Sequence, residues 1–320
     1  SLAYWLFGTV AAAVLLLWTA PGRYDVVFAC TAAALVALLA ALLESLPQGL
    51  DDNLGVPLIS GLFLLCVLLT DNQWDAFLAD PDLPWRLLYG ALLNVILAAA
   101  GYAARSVSAS GVAAGFLVGT LIYACLDWRG YLLLVAFFVI GTGCTKLGYA
   151  RKAAARIAQE AGGRRGARHA LAKTSVPAAA ALFAVVTEQP LAFAAAFAGA
   201  FATASGDTAS SEIGKLWGRR TFLITTLRPV ERGTEGAVSF EGTIAGVVAS
   251  ALIAVLGVWL LPLPKAALWA IPVAALVANT LESVIGATLE QRGLLDNEAV
   301  NFLNTLAGAL IAAGLVLLAV

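Results

Sequence analysis

Apolar residues in this chain do not alternate with polar ones; they fill unbroken runs near 2–20, 25–46, 54–70, 85–104, 109–126, 129–149, 173–188, 189–206, 240–262, 266–289 and 299–319. An α-helix needs about 20 such residues to cross roughly 30 Å of hydrocarbon, so the pattern predicts about eleven transmembrane helices. A β-barrel is disfavoured, because its strands alternate over about ten residues, whereas these runs are continuous and rich in Ala and Leu. In lipid every backbone polar group must be satisfied within the element. The expected fold is therefore an all-α, polytopic integral membrane bundle.

Composition agrees with that reading. Of 320 residues 61% are hydrophobic and 12% charged, against about 25% charged in soluble domains. The net charge of −1 carries little information and points to no nucleic-acid partner, but the charges are unevenly placed. Eight Lys and Arg fall between Lys146 and Lys173, and five more between Lys215 and Arg232. Short basic loops stay in the cytoplasm, which puts loops 150–172 and 207–240 there. Alternating outward makes the acid-rich connection 71–82 external, and both 290–298 and the N-terminus internal. The expected location is a bacterial inner or an organellar membrane. Four cysteines lie in or beside the runs without a CxxC pair, and they read as packing residues. The first run lacks the features of a cleaved leader and is expected to be a retained helix.

Polarity also divides the chain. Residues 1–83 hold three ordinary runs and read as an accessory region, and 84–320 as a catalytic transmembrane domain. Its first loop opens with an expected short amphipathic helix over 151–160, then Gly162-Gly163 and the cluster Arg164, Arg165, Arg168 and His169. This is either a basic anchor for anionic headgroups or a phosphate grip, because Arg holds phosphate oxygens bidentately. His169, the single histidine, reads as a cap or structural residue.

The second loop begins "GDTASSEIGKLWGRR", directly after an apolar run. A carboxylate there costs several kcal/mol unless it is paired or binds a cation. On a continuous helix Asp207, Ser210, Ser211, Gly214 and Lys215 share a face, with Glu212 about 140° away at 100° per residue. Two readings follow: ion pairs that cap the helix, Asp207 with Lys215 or Glu212 with an Arg, or Mg²⁺ bound by the acids and bridged to phosphates. Farther on, Thr225, Thr226 and Arg228, then Gly233, Gly236, Ser239, Gly242 and Thr243, lead into a span and form a possible anion site at a helix start.

The last two runs carry polar stripes: Asn279, Glu282, Ser283, Gly286 and Glu290 on one, Asn297, Asn301, Asn304, Thr305 and Gly308 on the other. They are interhelical glue or, because an acid inside a span is a functional candidate, part of a site. Asp296 and Asn297 lie where the two helices meet the cytoplasm. Together the stripes and loops converge on one membrane face, where they suit a nucleotide or pyrophosphate, a metal ion and a lipid acceptor. No triad or nucleophilic Cys is present, so positioning and charge neutralisation would have to carry phosphoryl transfer.

In order, "GGRRGARHALA", "GDTASSEIGKLWGRR", "TTLRPVERGTEGAVSFEGTIAG" and "LESVIGATLEQRGLLDNEAVNFLNTLAG" resemble the membrane prenyl-phosphate kinase family that includes the plant phytyl-phosphate kinase of tocopherol synthesis. The resemblance covers about residues 100–320. The second and third motifs are also similar to the GD-x-x-A-x-x-x-G and KS-x-x-G-(S/T) pattern of the CTP-using phytol and dolichol kinases. It implies a kinase that moves a phosphoryl group from a nucleoside triphosphate, CTP first among them, to an isoprenyl monophosphate, with Mg²⁺. Asp207 and Glu212 would be metal or nucleotide acids, with Glu282 a further metal candidate where relatives are expected to have Asp. Lys215 and Arg228 would neutralise phosphates, and Ser239, Glu241, Gly242 and Thr243 would form the phosphate loop. Val238 stands where those kinases have Lys, so that charge must come from elsewhere, Arg228 or Arg232 being the options. A prenol kinase, a CDP-lipid cytidylyltransferase and, from another class, a membrane transporter are the alternatives.

Overall fold

The computed structural model describes residues 2–20, 23–45, 52–70, 73–159 and 161–320. Among them are twelve α-helices: α1 (Leu2–Thr19), α2 (Val26–Ser45), α3 (Asp52–Leu68), α4 (Gln73–Leu78), α5 (Leu83–Ala103), α6 (Ala109–Lys146), α7 (Tyr149–Ala154), α8 (Ala167–Val186), α9 (Pro190–Trp217), α10 (Phe240–Leu260), α11 (Ala267–Ile285) and α12 (Asn297–Leu318). A single π turn, Gly286–Glu290, extends α11. Among the described residues the two named strands form an antiparallel pair, β1 (Thr221–Leu223) with β2 (Ala237–Ser239), in register Thr221 to Ser239.

Six helices among the described residues are long and apolar enough to cross a membrane: α5, α6, α8, α10, α11 with its π turn, and α12. The expected eleven is not reached, for physical reasons. The 38-residue α6 holds two of the expected runs, broken where Leu126 and Asp127 leave helical geometry. Asp127 takes a positive φ of 50°, and its carboxylate accepts from the backbone and side chain of Arg129 at 2.8 and 2.7 Å. The apolar stretches Trp5–Thr19 and Val26–Leu38 are shorter. α9 is rich in Ala, Gly, Ser and Thr, so its hydropathy is modest although it lies at the centre.

That central position follows from side-chain size. α9 packs against α6, α8, α10, α11 and α12, and nearly every residue from Ala194 to Ala209 is buried. Without a hydrophobic drive between helices in lipid, association depends on close backbone approach through small residues. Gly206 is one instance near the site: a Cβ there would sit 2.6 Å from Ser250 Oγ on α10 and 2.8 Å from Asn279 Nδ2 on α11. A second contact works the same way, since a Cβ on Gly242 would meet the Ser210 carbonyl at 2.5 Å. The glycines of the second and third motifs thus bring α10 onto α9.

Two loop expectations change. Residues 207–217, expected as loop, continue α9, and only 218–239 leave the helix. The helix expected over 151–160 is α7, which ends at Ala154; Arg156 has a positive φ of 59°, and Glu160 lies outside the described residues. Residues 71 and 72 of the acidic connection lie outside them too. The N-terminal helices meet the bundle through α8, where Leu16, Ala29 and Val67 cluster with Phe183 and Val186.

Candidate active site

The polar ends of α8, α9, α10, α11 and α12, together with the β1–β2 hairpin, enclose a cavity of about 780 Å³. That is within the range of small-ligand sites, about 300–1,000 Å³. One wall is basic. Arg165, His169 and Lys173 recur every fourth residue and all line the cavity, as a helical face requires. Arg165 precedes α8 and is planted by backbone pairing, its N–H donating to the Ser106 carbonyl at 3.0 Å and its carbonyl accepting from Ser108 N at 3.0 Å. Burial pushes the Arg165 guanidinium below its ordinary range, while Glu212 and Asp207 pull it back.

Opposite stand acids. Asp207 Oδ2 accepts from Lys173 Nζ at 2.5 Å, and Lys173 also donates to Thr208 Oγ1 at 3.0 Å. Lys173 is 5% exposed, so its charge is held by these two neighbours in a low-dielectric setting. Glu282 of α11 lines the same cavity as Asp207 and Lys173. Its Oε2 accepts from Asn304 Nδ2 at 2.5 Å, and Asn304 also donates to Asn279 Oδ1 at 2.9 Å. The stripe residues therefore glue α11 to α12 and also aim Glu282 at the cavity, which Asn279, Glu282, Asn297 and Asn301 line. Asn301 Nδ2 donates to Asn297 Oδ1 at 2.9 Å, and Asn297 Nδ2 to Glu290 Oε1 at 3.4 Å.

The third wall is the start of α10. Ser239, Gly242 and Thr243 line the cavity, but Ser239 is the N-cap of α10, its Oγ accepting from Gly242 N at 3.1 Å. Its hydroxyl serves the helix end first. Lys215 lines the same cavity and also a second one of about 580 Å³ beside Arg151, Lys152 and Arg232.

Of the other expected site residues, Glu212 lines the cavity but is already paired, and the rest lie elsewhere. Glu212 is 3% exposed, and its carboxylate is taken by Lys152, whose Nζ also donates to the Cys144 and Thr145 carbonyls at 3.1 and 2.9 Å. Glu212 therefore ties α9 to α7 and the end of α6, and its charge is already met. Asp296 is the N-cap of α12, accepting from Ala299 N at 2.8 Å, and it pairs with Arg168. Arg164, Thr226 and Arg228 are exposed and, like Arg168, Glu241 and Asp296, are not among the residues lining the cavity. Thr226 and Arg228 belong to the turn that closes the hairpin, where Leu223 N donates to the Arg228 carbonyl at 2.9 Å.

Lys173 and Lys152 were missed in the sequence. The spacing of Arg165, His169 and Lys173 would have revealed the first; nothing local reveals that Lys152 meets Glu212. Val238 lines the cavity, and the cationic side chains that line it as well are Lys173, Arg165 and Lys215, whereas Arg228 and Arg232 do not. Among the described residues no group of three or more His, Cys, Asp or Glu gathers closely enough to hold a metal ion. The Asp207–Glu282 pair still offers oxygens of the kind Mg²⁺ uses, since it is usually held by one or two carboxylates, with phosphates and waters completing the shell.

Comparison with known proteins places this geometry in context. Residues 92–309 match the family model described as Integral membrane protein DUF92. An uncharacterized membrane protein of Synechocystis sp. is 41% identical over 237 residues, covering 72% of this chain and 91% of that protein. Protein VTE6, chloroplastic, of Arabidopsis thaliana is 37% identical over 237 residues, 71% of each chain. An uncharacterized membrane protein of Methanocaldococcus jannaschii is 31% identical over 227 residues, 71% of this chain and 92% of that protein. No solved structure matches the chain.

Proposed function

Since this chain belongs to the DUF92 family of integral membrane proteins, we propose that it is a membrane prenyl-phosphate kinase, transferring a phosphoryl group from a nucleoside triphosphate, CTP first among them, to an isoprenyl monophosphate. The four motifs that resemble the prenyl-phosphate kinases all fall within the residues matched by the family model, 92–309. The observation that carries the reading is one cavity at the polar end of the spans in which Lys173, Arg165 and Lys215 face Asp207 and Glu282.

In this reaction an oxygen of the acceptor's phosphate attacks the γ-phosphorus of the donor. The new P–O bond forms as the bond to the β,γ-bridging oxygen breaks, and the nucleoside diphosphate leaves with that electron pair. A monophosphate dianion needs no base to lose a proton, in keeping with a cavity whose Asp207 is engaged by Lys173. Catalysis of this type is mainly positioning and charge neutralisation. Lys173, Arg165 and Lys215 would hold phosphate oxygens, and Asn304 would keep Glu282 turned inward. Asp207 and Glu282 would hold Mg²⁺, which when bound neutralises and aligns the phosphates. The basic segments 146–173 and 215–232 favour the cytoplasmic side for this cavity, with residues 1–83 accessory to it.

Mass analysis tests the proposal. Detergent-purified protein is incubated with Mg²⁺, each nucleoside triphosphate, and phytol, geranylgeraniol or their monophosphates. The expected product is the isoprenyl diphosphate, with release of a nucleoside diphosphate. Phosphorylation of the alcohols alone would favour a prenol kinase, and a CDP-lipid with pyrophosphate a cytidylyltransferase. Liposome uptake without nucleotide consumption would favour a transporter.

A further inference from the structure

A polar cavity that accepts a membrane lipid must open sideways, because the lipid's chain cannot leave the hydrocarbon without losing its hydrophobic stabilisation. The lining residues indicate where. On α8 and α12 the side chains lining the cavity are polar, and the deepest of them are shielded: Lys173 is 5% exposed and Asn301 4%, while Asn297 in the first turn of α12 is exposed. On α10 and α11 the lining passes from polar inward positions to apolar outward ones. Gly246 and Ser250 of α10 and Asn279 of α11 face in, and beside them Val247 and Leu276 both line the cavity and face out, 38% and 42% exposed. Among the described residues they are the only large hydrophobic side chains that line this cavity and are also exposed. Thr280, one residue past Asn279, does the same, with its hydroxyl satisfied by the Leu276 carbonyl at 2.7 Å.

Topology allows an opening at this edge. α10 and α11 are consecutive helices joined at the far end by the short connection 261–266, so their cavity ends carry no covalent link to each other. α10 is held on α9 by Gly246, where a Cβ would lie 2.9 Å from the Gly206 carbonyl. α11 is held by Asn279 and Glu282 on α12. Both also pack on α9, where Gly206 lies against Ser250 of α10 and Asn279 of α11.

We propose that the slot between α10 and α11, framed by Val247 and Leu276, is the binding site for the isoprenyl chain of the lipid substrate, with its phosphate directed inward past Asn279 toward Asp207 and Lys173. Charge complementarity selects this occupant over bulk lipid tails: the inner end of the slot reaches Lys173 and Arg165, which suit a phosphate attached directly to a single chain. The proposal rests on the prenyl-phosphate kinase reading for the identity of the head group.

The test is photolabelling of the wild-type protein in liposomes with a C20 isoprenyl monophosphate carrying a diazirine near the phosphate end, followed by peptide mapping. Adducts are expected on α10 around 243–250 and α11 around 276–280, and to be competed by unlabelled isoprenyl monophosphate. Adducts spread over the lipid-facing residues of other helices, or without competition, would overturn the slot. In parallel, Val247→Trp and Leu276→Trp are expected to lower the ratio of kcat/KM for a C20 over a C5 isoprenyl monophosphate by about tenfold, since only the longer chain must thread the gap. An unchanged ratio would also overturn it. Labelling needs no turnover, so wild-type protein that labels at α10 and α11 yet makes no diphosphate would refute the kinase reading and keep the slot. Active protein labelled elsewhere would do the reverse.

Discussion

Lys173 Nζ lies 2.5 Å from Asp207 Oδ2 and 3.0 Å from Thr208 Oγ1, which makes the cation of α8 the resident partner of the acid in the second motif. A buried pair of this kind is poor evidence for stability, because desolvation offsets much of the attraction. The pair lines the cavity together with Glu282, and the proposed reaction gives it a different use. In the proposed kinase Asp207 would help to hold the divalent cation, which leaves Lys173 to hold a phosphate oxygen.

Exchange of partners predicts that both members matter to the reaction. Asp207→Asn and Lys173→Met are each expected to lower phosphoryl transfer by about 10²–10³-fold, the usual loss when one preorganised charge-stabilising group is removed. Lys173→Arg should recover part of the activity. Product formation is followed by mass and folding by thermal unfolding in detergent; unchanged turnover in Asp207→Asn would remove Asp207 from the site.

Arg165 and Arg164 are neighbours in sequence but face different surroundings. Arg165 lines the cavity and donates to Thr145 Oγ1 at 3.3 Å, whereas Arg164 is exposed. Arg165→Ala should raise the KM for a phosphate-bearing substrate about tenfold, the scale of one lost charge-assisted hydrogen bond. Arg164→Ala should leave KM within about twofold on the same scale. Steady-state kinetics on the two single variants separates a phosphate grip from a headgroup anchor.

Lys152 and Glu212 supply the stability test. Both are buried, at 1% and 3% exposure, and Lys152→Ala would strand an uncompensated carboxylate at a cost of about 3–5 kcal/mol. The double variant Lys152→Met with Glu212→Gln is expected to regain much of this, because no buried charge remains. Denaturation midpoints of the single and double variants form the cycle, and additive losses would contradict the pairing.

Gly206→Ala probes the crossing that sets Asp207 in place. The added methyl would fall 2.6 Å from Ser250 Oγ and 2.8 Å from Asn279 Nδ2. Overpacking of this kind costs about 1–3 kcal/mol. A lower thermal midpoint together with a fall in turnover is expected, since α10 and α11 must both shift.

Much of this was legible in the sequence because lipid imposes a simple code. Apolar runs located the helices, and the carboxylate and carboxamide stripes of α11 and α12 had to turn inward. Asp207 stood out because it follows directly on a buried run. Contacts across distant segments were not legible. Glu212 meets Lys152, 60 residues away, and Arg168 meets Asp296, 128 residues away, and neither pair carries a local signal. Arg228 and Thr226 read as phosphate ligands because a loop has no facing direction until it folds. The hairpin turns them outward, with Leu227 at a positive φ of 55°. The role of α9 was hidden because its Ala and Gly lower its hydropathy, although small side chains are what a central helix needs.

The most direct measurement is a structure of the detergent-purified protein with Mg²⁺ and a non-hydrolysable nucleoside triphosphate. Phosphates are expected in the cavity against Lys173 and Arg165, with Asp207 released from Lys173 to the cation. Nucleotide bound elsewhere, or a cavity in which the Asp207–Lys173 pair persists unchanged beside it, would contradict the enzymatic reading.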